Sequence, residues 1–325
     1  MKNILVTGGA GYVGTALVPE LLKFYNVTVL DLMIYGTKLP KNNKRLKIIK
    51  GDIRDKKKLN KATKGIDCVI HLACISNDPS FELNPKLGKS INLLAFEPLV
   101  KISKKNGVKR FIYASSSSVY GIKNSKNVNE KMRLKPLTDY SKFKADCEKI
   151  LFKYSGIDFT SIVIRPATVC GFAPRQRFDL VVNILTNLAF NKREITVLGG
   201  KQLRPNIHIS DMVRAYVHLI KADKKIVYNQ IFNVGYQNQS VNKIAKIVKK
   251  IIGSDVRINV KKSNDNRSYH ISSNKIKKIL NFSPKSTIED AVKDLKKAFR
   301  NKKFKKSLTD EMYFNIKRMQ NIKLR

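Results

Sequence analysis

A chain of 325 residues, 42% of them hydrophobic, can bury one large core or two smaller ones, and it holds no run of about 18 apolar residues that would span a membrane. Its formal charge of +41, from 65 basic and 24 acidic residues, points at face value to nucleic acid, an anionic surface or an acidic partner. Yet the lysines are scattered over loops and polar helix faces, as at Lys56–Lys58, Lys249–Lys250 and Lys277–Lys278, without a dense block or interleaved stacking aromatics, so no specific nucleic-acid partner is expected. Asn, Ile and Lys are abundant together, and all three have A/T-rich codons, which gives the charge a compositional origin. Attraction for phosphorylated substrates remains in play. Met1-Lys2-Asn3 runs straight into a short apolar strand rather than a secretory core, so a cytoplasmic protein without membrane insertion is expected. Cys68, Cys74, Cys147 and Cys170 lack metal-ligand spacing and read as reduced thiols, with no metal site.

In chain order, strands are expected at Asn3–Thr7, Val27–Asp31, Leu46–Lys50, Cys68–Leu72, Arg110–Ala114 and Thr160–Arg165. Between and after them, amphipathic patterns predict helices at Tyr12–Phe24, Lys56–Thr63, Lys89–Lys105, Asp139–Tyr154 and Phe178–Asn187. Alternation of this kind is the pattern of an α/β fold, a doubly wound parallel Rossmann sheet covered on both faces. Beyond Arg165 the order loosens. Strands near Thr196–Leu198, Ile231–Val234 and Arg257–Val260 mix with helices at Ser210–Ala222 and Val241–Ile252. The expected division is a dinucleotide domain over 1–165 with return segments near 203–235. A smaller interleaved α/β substrate lobe would use 166–202 and 236–300, and 301–325 would be a basic tail with a frayed helix. The lobe would cover the carboxyl ends of the strands, where open α/β sheets bind ligands.

Gly8-Gly9-Ala10-Gly11-Tyr12-Val13-Gly14 follows the first strand and opens the first helix, where a tight turn lets backbone amides approach a diphosphate. Asp31 closes the second strand and suits the adenosine ribose hydroxyls, while its charge would repel a 2′-phosphate, so NAD is the expected cofactor. Gly51-Asp52-Ile53 and His71-Leu72-Ala73 end the third and fourth strands, as an adenine wall and a cofactor midsection or as plain strand-end turns. His71 itself reads as a packed structural histidine. Ser115-Ser116-Ser117-Ser118-Val119-Tyr120-Gly121 ends the fifth strand, either steadying a reacting oxygen or capping its own turn. Tyr140 and Lys144 lie one helical turn apart on one face, with Glu148 a turn further and Pro136 before the helix. An ammonium beside the phenol would favour phenolate, whereas a free tyrosine with a pKa of about 10 is a poor base.

With these four elements in order, the chain resembles an extended short-chain dehydrogenase/reductase of the NAD-dependent nucleotide-sugar epimerase/dehydratase family, from Asn3 to about Phe282. The resemblance implies Ser116, Tyr140 and Lys144 as catalytic residues and Ser118 as a sugar contact. It implies Asn92 near the cofactor. Arg165-Pro166-Ala167-Thr168-Val169-Cys170-Gly171 resembles the segment leading to the substrate pocket, with Pro166 on the cofactor side and Thr168 on the substrate side. Asn183 falls at a diphosphate contact, and Arg204 and Arg267 resemble two arginines that bind the diphosphate as planar forks. Pro174-Arg175-Gln176-Arg177-Phe178-Asp179-Leu180 resembles a subgroup of surface-polysaccharide enzymes, including dehydrogenases of nucleotide-activated heptoses. Relatives pair through a four-helix interface, which here implies a homodimer through 89–105 and 139–154.

The implied reaction is proton removal by Tyr140 from a nucleotide-diphosphate sugar at C4, with hydride transfer to NAD. Dehydratases of the family carry an Asp-Glu pair where this chain has Ser117 and Ser118, so 4-epimerisation is expected first. Net oxidation or reduction at C4, possible on a heptose, comes next, and 4,6-dehydration or a silent NAD-binding protein last.

Overall fold

Short β-branched runs bounded by glycine and polar turns form the central strands, and the computed structural model describes residues 1–125, 127–263, 268–322 and 324. The first half alternates strand and helix: β1 (Asn3–Thr7), α1 (Tyr12–Leu22), β2 (Asn26–Asp31), β3 (Leu46–Lys50), α2 (Lys56–Thr63) and β4 (Cys68–His71). After β4 come two short helices, α3 (Asp78–Glu82) and α4 (Pro85–Lys89), a π-helical turn at Ser90–Leu94, and α5 (Phe96–Lys105). Then follow β5 (Arg110–Ala114), a 3₁₀ turn at Ser117–Tyr120, α6 (Asp139–Lys153), β6 (Thr160–Pro166) and β7 (Thr168–Cys170). The remainder is α7 (Val181–Lys192), β8 (Glu194–Leu198), β9 (Leu203–His208), α8 (Ile209–Lys221), α9 (Lys224–Val227), β10 (Gln230–Val234) and β11 (Gln237–Ser240). It closes with α10 (Val241–Ile252), β12 (Arg257–Lys261), α11 (Asn274–Leu280), α12 (Ile288–Arg300) and α13 (Asn315–Ile322).

Seven parallel strands make the central sheet in the order β10-β6-β5-β4-β1-β2-β3. Ile4, Leu5 and Val6 are fully buried because both faces are covered, α1 and α8 lying on one and α2, α5 and α6 on the other. Each such side chain contributes about 1.5–3 kcal/mol of transfer free energy. The strand order reverses between β1 and β4, which opens a crevice at their carboxyl ends. A second apolar cluster joins α7, α10 and α12 to the parallel pair β8 and β12. The strands β7, β9 and β11 form a bridging sheet beside the crevice.

Helix α6 starts where its caps require. Thr138 Oγ1 accepts from the Ser141 amide at 3.3 Å, and Ser141 Oγ accepts from the Thr138 amide at 3.1 Å. Two predicted helices differ from the structure. The 178–187 helix begins only at Val181, because Phe178 is buried against Phe299 and Phe304 and Arg177 pairs with Asp179 in an extended approach. The 89–105 helix is divided by the π turn. Segment 301–325, expected as a basic tail, carries α13, whose Met319 is buried in the core beneath the sheet's α2–α5 face.

Candidate active site

The crevice and the residues of α7, β8 and β9 beside it line a cavity of about 760 Å³. At its cofactor end, Gly8 has a φ of +73°, and a Cβ there would sit 2.5 Å from the Ala73 amide nitrogen, so the turn meets the end of β4 only without a side chain. Gly11, as N-cap, offers no side-chain acceptor, which leaves the first amides of α1 uncapped where Gly11, Tyr12, Val13 and Gly14 wall the cavity. The Asp31 carboxylate accepts from the Ala10 amide at 3.0 Å and the Met33 amide at 2.7 Å, and burial pushes its pKa up. Asp52, Ile53, Leu72, Ala73 and Pro166 complete this wall, with Asp52 held by Arg54 at 2.7 Å. An uncapped helix terminus for a diphosphate, a carboxylate with spare lone pairs for ribose hydroxyls and an apolar wall at Ile53 fit a dinucleotide.

Tyr140, Lys144 and Ser116 line the same cavity. Lys144 is buried, and its Nζ donates to the Ala114 carbonyl at 2.6 Å, lying 5.8 Å from the Tyr140 ring centroid and 5.0 Å from that of Tyr113. Tyr140 is partly exposed to the cavity, yet desolvation pushes its phenol well above the usual tyrosine range. Cys74 and Asp78 add to that rise, while Arg177 and the Asn77 amide oppose it. Lys144 therefore shares the expected helix face, and burial outweighs the other influences on the Tyr140 phenol. Ser116 Oγ lies 2.8 Å from Ser118 Oγ and accepts from the Ser118 amide at 3.1 Å, so it caps the 3₁₀ turn while walling the cavity. Behind them, Glu148 accepts from Ser115 Oγ at 2.5 Å and from Arg165 at 3.0 and 2.6 Å. Arg165 also donates to the Tyr120 hydroxyl at 2.8 Å. His71 lies 2.6 Å from Thr7 Oγ1 among Phe96, Phe111 and Tyr113, and burial, helped by the Lys144 charge, pushes it down to about 3. It is a packed structural histidine.

Of the residues expected at the substrate, Ser118, Thr168 and Arg204 line the cavity, with the Arg204 guanidinium 5.9 Å from the Tyr269 ring. Arg267 lies outside the described residues. Two of the expected residues stand behind the cavity wall. Asn183 is fully buried, accepting from the Gly171 amide and donating to the Tyr12 hydroxyl and the Arg177 carbonyl, so it clamps the approach to α7 and does not line the cavity. Asn92 is likewise occupied, its side chain bonding both backbone groups of Ile75 at 2.8 and 2.9 Å, so it shapes the loop after β4 from behind. The sequence reading missed Tyr35, Ser76, Asp78, Gln202, Asn315 and Met319, all in the cavity wall. The run at 174–180 was the available signal for part of this group, because Arg175, Arg177 and Asp179 line the cavity too.

A doubly wound sheet with this glycine turn, an acid closing β2, a serine after β5 and Tyr and Lys on α6 defines an NAD-dependent enzyme of the extended short-chain dehydrogenase/reductase class. The family model described as NAD dependent epimerase/dehydratase matches residues 4–235, and the chain belongs to that family. It is 28% identical over 320 residues to a UDP-glucose 4-epimerase of Lactobacillus helveticus, covering 89% of this chain and 94% of that one. It is 30% identical over 282 residues to a dTDP-D-glucose 4,6-dehydratase of Dictyostelium discoideum, covering 79% and 63%. Among solved structures, the Thermotoga maritima UDP-glucose 4-epimerase with UDP-glucose matches with a TM-score of 0.83 at 27% identity, over 92% of this chain and 99% of that one. The Bacillus cereus UDP-glucuronic acid 4-epimerase, in complex with UDP-glucuronic acid and NAD, matches with 0.81 at 27%, over 92% and 99%. No helix among the described residues is long and apolar enough to cross a membrane.

Proposed function

We propose that this chain is a nucleotide-sugar 4-epimerase that uses NAD catalytically and returns it unchanged. One observation carries the reading: Ser116, Tyr140 and Lys144 share a cavity with the glycine turn and Asp31, while serines stand at 117 and 118. When bound, NAD supplies a reversible acceptor for the hydride of sugar C4. Tyr140 takes the C4 hydroxyl proton onto its phenolate oxygen as that hydride leaves, and gives the proton back when the hydride returns to the other face. The cations of Arg177 and Lys144 near the ring favour the phenolate electrostatically. Ser116 donates to the C4 oxygen, and Arg204 holds the diphosphate, so binding energy remote from C4 orients the sugar.

Dehydration needs a further acid and base at C5 and C6. The carboxylates near Tyr140 are already engaged, Asp179 with Arg177 at 2.8 Å and Asp78 with the Thr138 hydroxyl at 2.5 Å. Product analysis by NMR and mass spectrometry on a panel of nucleotide sugars tests the reading. Inversion at C4 at unchanged mass supports it; loss of water, or a two-hydrogen mass change (about 2 Da), would replace it with dehydration or net redox. The same reading pairs two copies through α5 and α6, which sedimentation velocity checks.

A further inference from the structure

Three edges of the cavity's cofactor end come from distant parts of the chain: the loop after β2, the loop after β4 and the 174–180 segment of the second lobe. One segment touches all three, and it lies beyond the residues matched by the family. Asn315, only 4% exposed, accepts from Arg175 at 2.6 Å, donates from Nδ2 to Ser76 Oγ at 2.8 Å, and donates its backbone amide to Asp179 at 3.1 Å. One turn later Arg318 Nε donates to the Ile34 carbonyl at 2.6 Å, while the same guanidinium pairs with Glu311. Met319 sits in one apolar cluster with Leu30, Ile53 and Ile75, and Met319 and Leu324 both wall the cavity.

Arg175 shows how tightly this closure engages the cofactor side. Its guanidinium stacks on Tyr35 at 3.7 Å, and its amide donates to Thr15 Oγ1 in α1 at 3.1 Å. Its buried Nε has no hydrogen-bond partner among the described residues. Burial, with Arg177 nearby, pulls its pKa down to about 10. A cation is thus held between the helix that opens at the glycine turn and α13, with one donor unspent beside the acid that ends β2.

We infer that residues 311–322, with Leu324, form a strap that completes the NAD site, with Asn315 as its positioning residue, so that bound NAD leaves only when the strap undocks. This rests on the reading of the site as an NAD-dependent epimerase, for which a cofactor restored in every cycle has no need to exchange. Undocking must break the Arg175, Ser76 and Ile34 contacts together and expose Met319 to water.

The test uses the full chain loaded with radiolabelled NAD and chased with excess unlabelled NAD, bound label being followed by rapid filtration. Wild-type protein is expected to release label more slowly than it turns over. Asn315→Ala, which deletes one hydrogen bond to an arginine and one to a serine, is expected to speed release roughly tenfold to a hundredfold. Its turnover should also rise with added NAD where that of wild type does not. Arg318→Gln, at the opposite edge, should act in the same direction, and it decides the matter if Asn315→Ala does not fold by circular dichroism. A folded variant that releases NAD at the wild-type rate overturns the strap and leaves the product assay untouched. Failure of every form to bind NAD would overturn the underlying reading with it.

Discussion

Replacing Glu148 by Ala should be among the most damaging single changes to this fold. The Glu148 and Arg165 side chains are 4% and 3% exposed, and the carboxylate accepts three hydrogen bonds, two from Arg165 and one from Ser115. Removing one member of a buried pair leaves a desolvated charge behind, at a cost of about 3–5 kcal/mol. The Tyr120 hydroxyl at 2.8 Å remains to Arg165 but cannot offset a missing countercharge. Against a total stability of about 5–15 kcal/mol, that loss should move the urea midpoint far to the left. The chain has no tryptophan, so far-UV circular dichroism is the natural probe. The Glu148→Ala, Arg165→Met double variant leaves neither member of this pair charged and should be less destabilised than the two single losses added together, by about 2 kcal/mol or more. A Glu148→Ala cost below about 1 kcal/mol, or strict additivity in the cycle, would refute the reasoning.

Tyr140→Phe should lower turnover by at least about a hundredfold while NAD still binds, as calorimetry and product NMR would show; unchanged turnover would remove Tyr140 from the chemistry. His71 is buried neutral, its pKa about 3 against about 6.5 in an unfolded chain, so the unfolded state binds the extra proton. Its contribution is therefore complete above about pH 6.5 and is lost progressively as pH falls toward 3; His71→Gln should flatten urea midpoints measured between pH 7 and 4.5. Gly8→Ala, at a φ of +73° with its new methyl against the Ala73 backbone, should destabilise by about 1–2 kcal/mol or more and weaken NAD binding. Calorimetric affinity equal to wild type would show that the turn can relax.

The parallel sheet was legible because its strands are short apolar runs punctuated by glycine, and all of the first six predicted strands begin and end within one residue of the observed ones. Gly8, Gly11 and Asp31, which line the crevice, could be placed there from the sequence, since strand ends position them without knowledge of side-chain partners. Asn92 and Asn183 were harder to place for the opposite reason. An amide side chain serves backbone or ligand equally well, and only the fold reveals that Ile75 and Gly171 claim them. Strands β7, β9 and β11 escaped because they are short and polar, with Pro205 inside one of them. The cavity residues near 315–324 escaped because their local pattern is merely basic, and what makes them part of the site is contact with loops nearly 240 residues earlier, as in the bond from Asn315 to Ser76, 239 residues away.

The π turn before α5 sets a phase. Buried pairs recur every four residues, Leu87 with Gly88, Ile91 with Asn92, Ala95 with Phe96, and Leu99 with Val100. A plain α-helix would rotate such a stripe by about 40° at each repeat, and the wider turn at Ser90–Leu94 winds most of that drift back. Deleting a single residue there would turn everything downstream by about 100°, bringing lysines toward Phe111 and detaching the loop after β4 from its clamp. Insertions and deletions should therefore be tolerated in the outer loops and rejected in this half-exposed helix, where the length of one turn is as binding as the identity of any side chain.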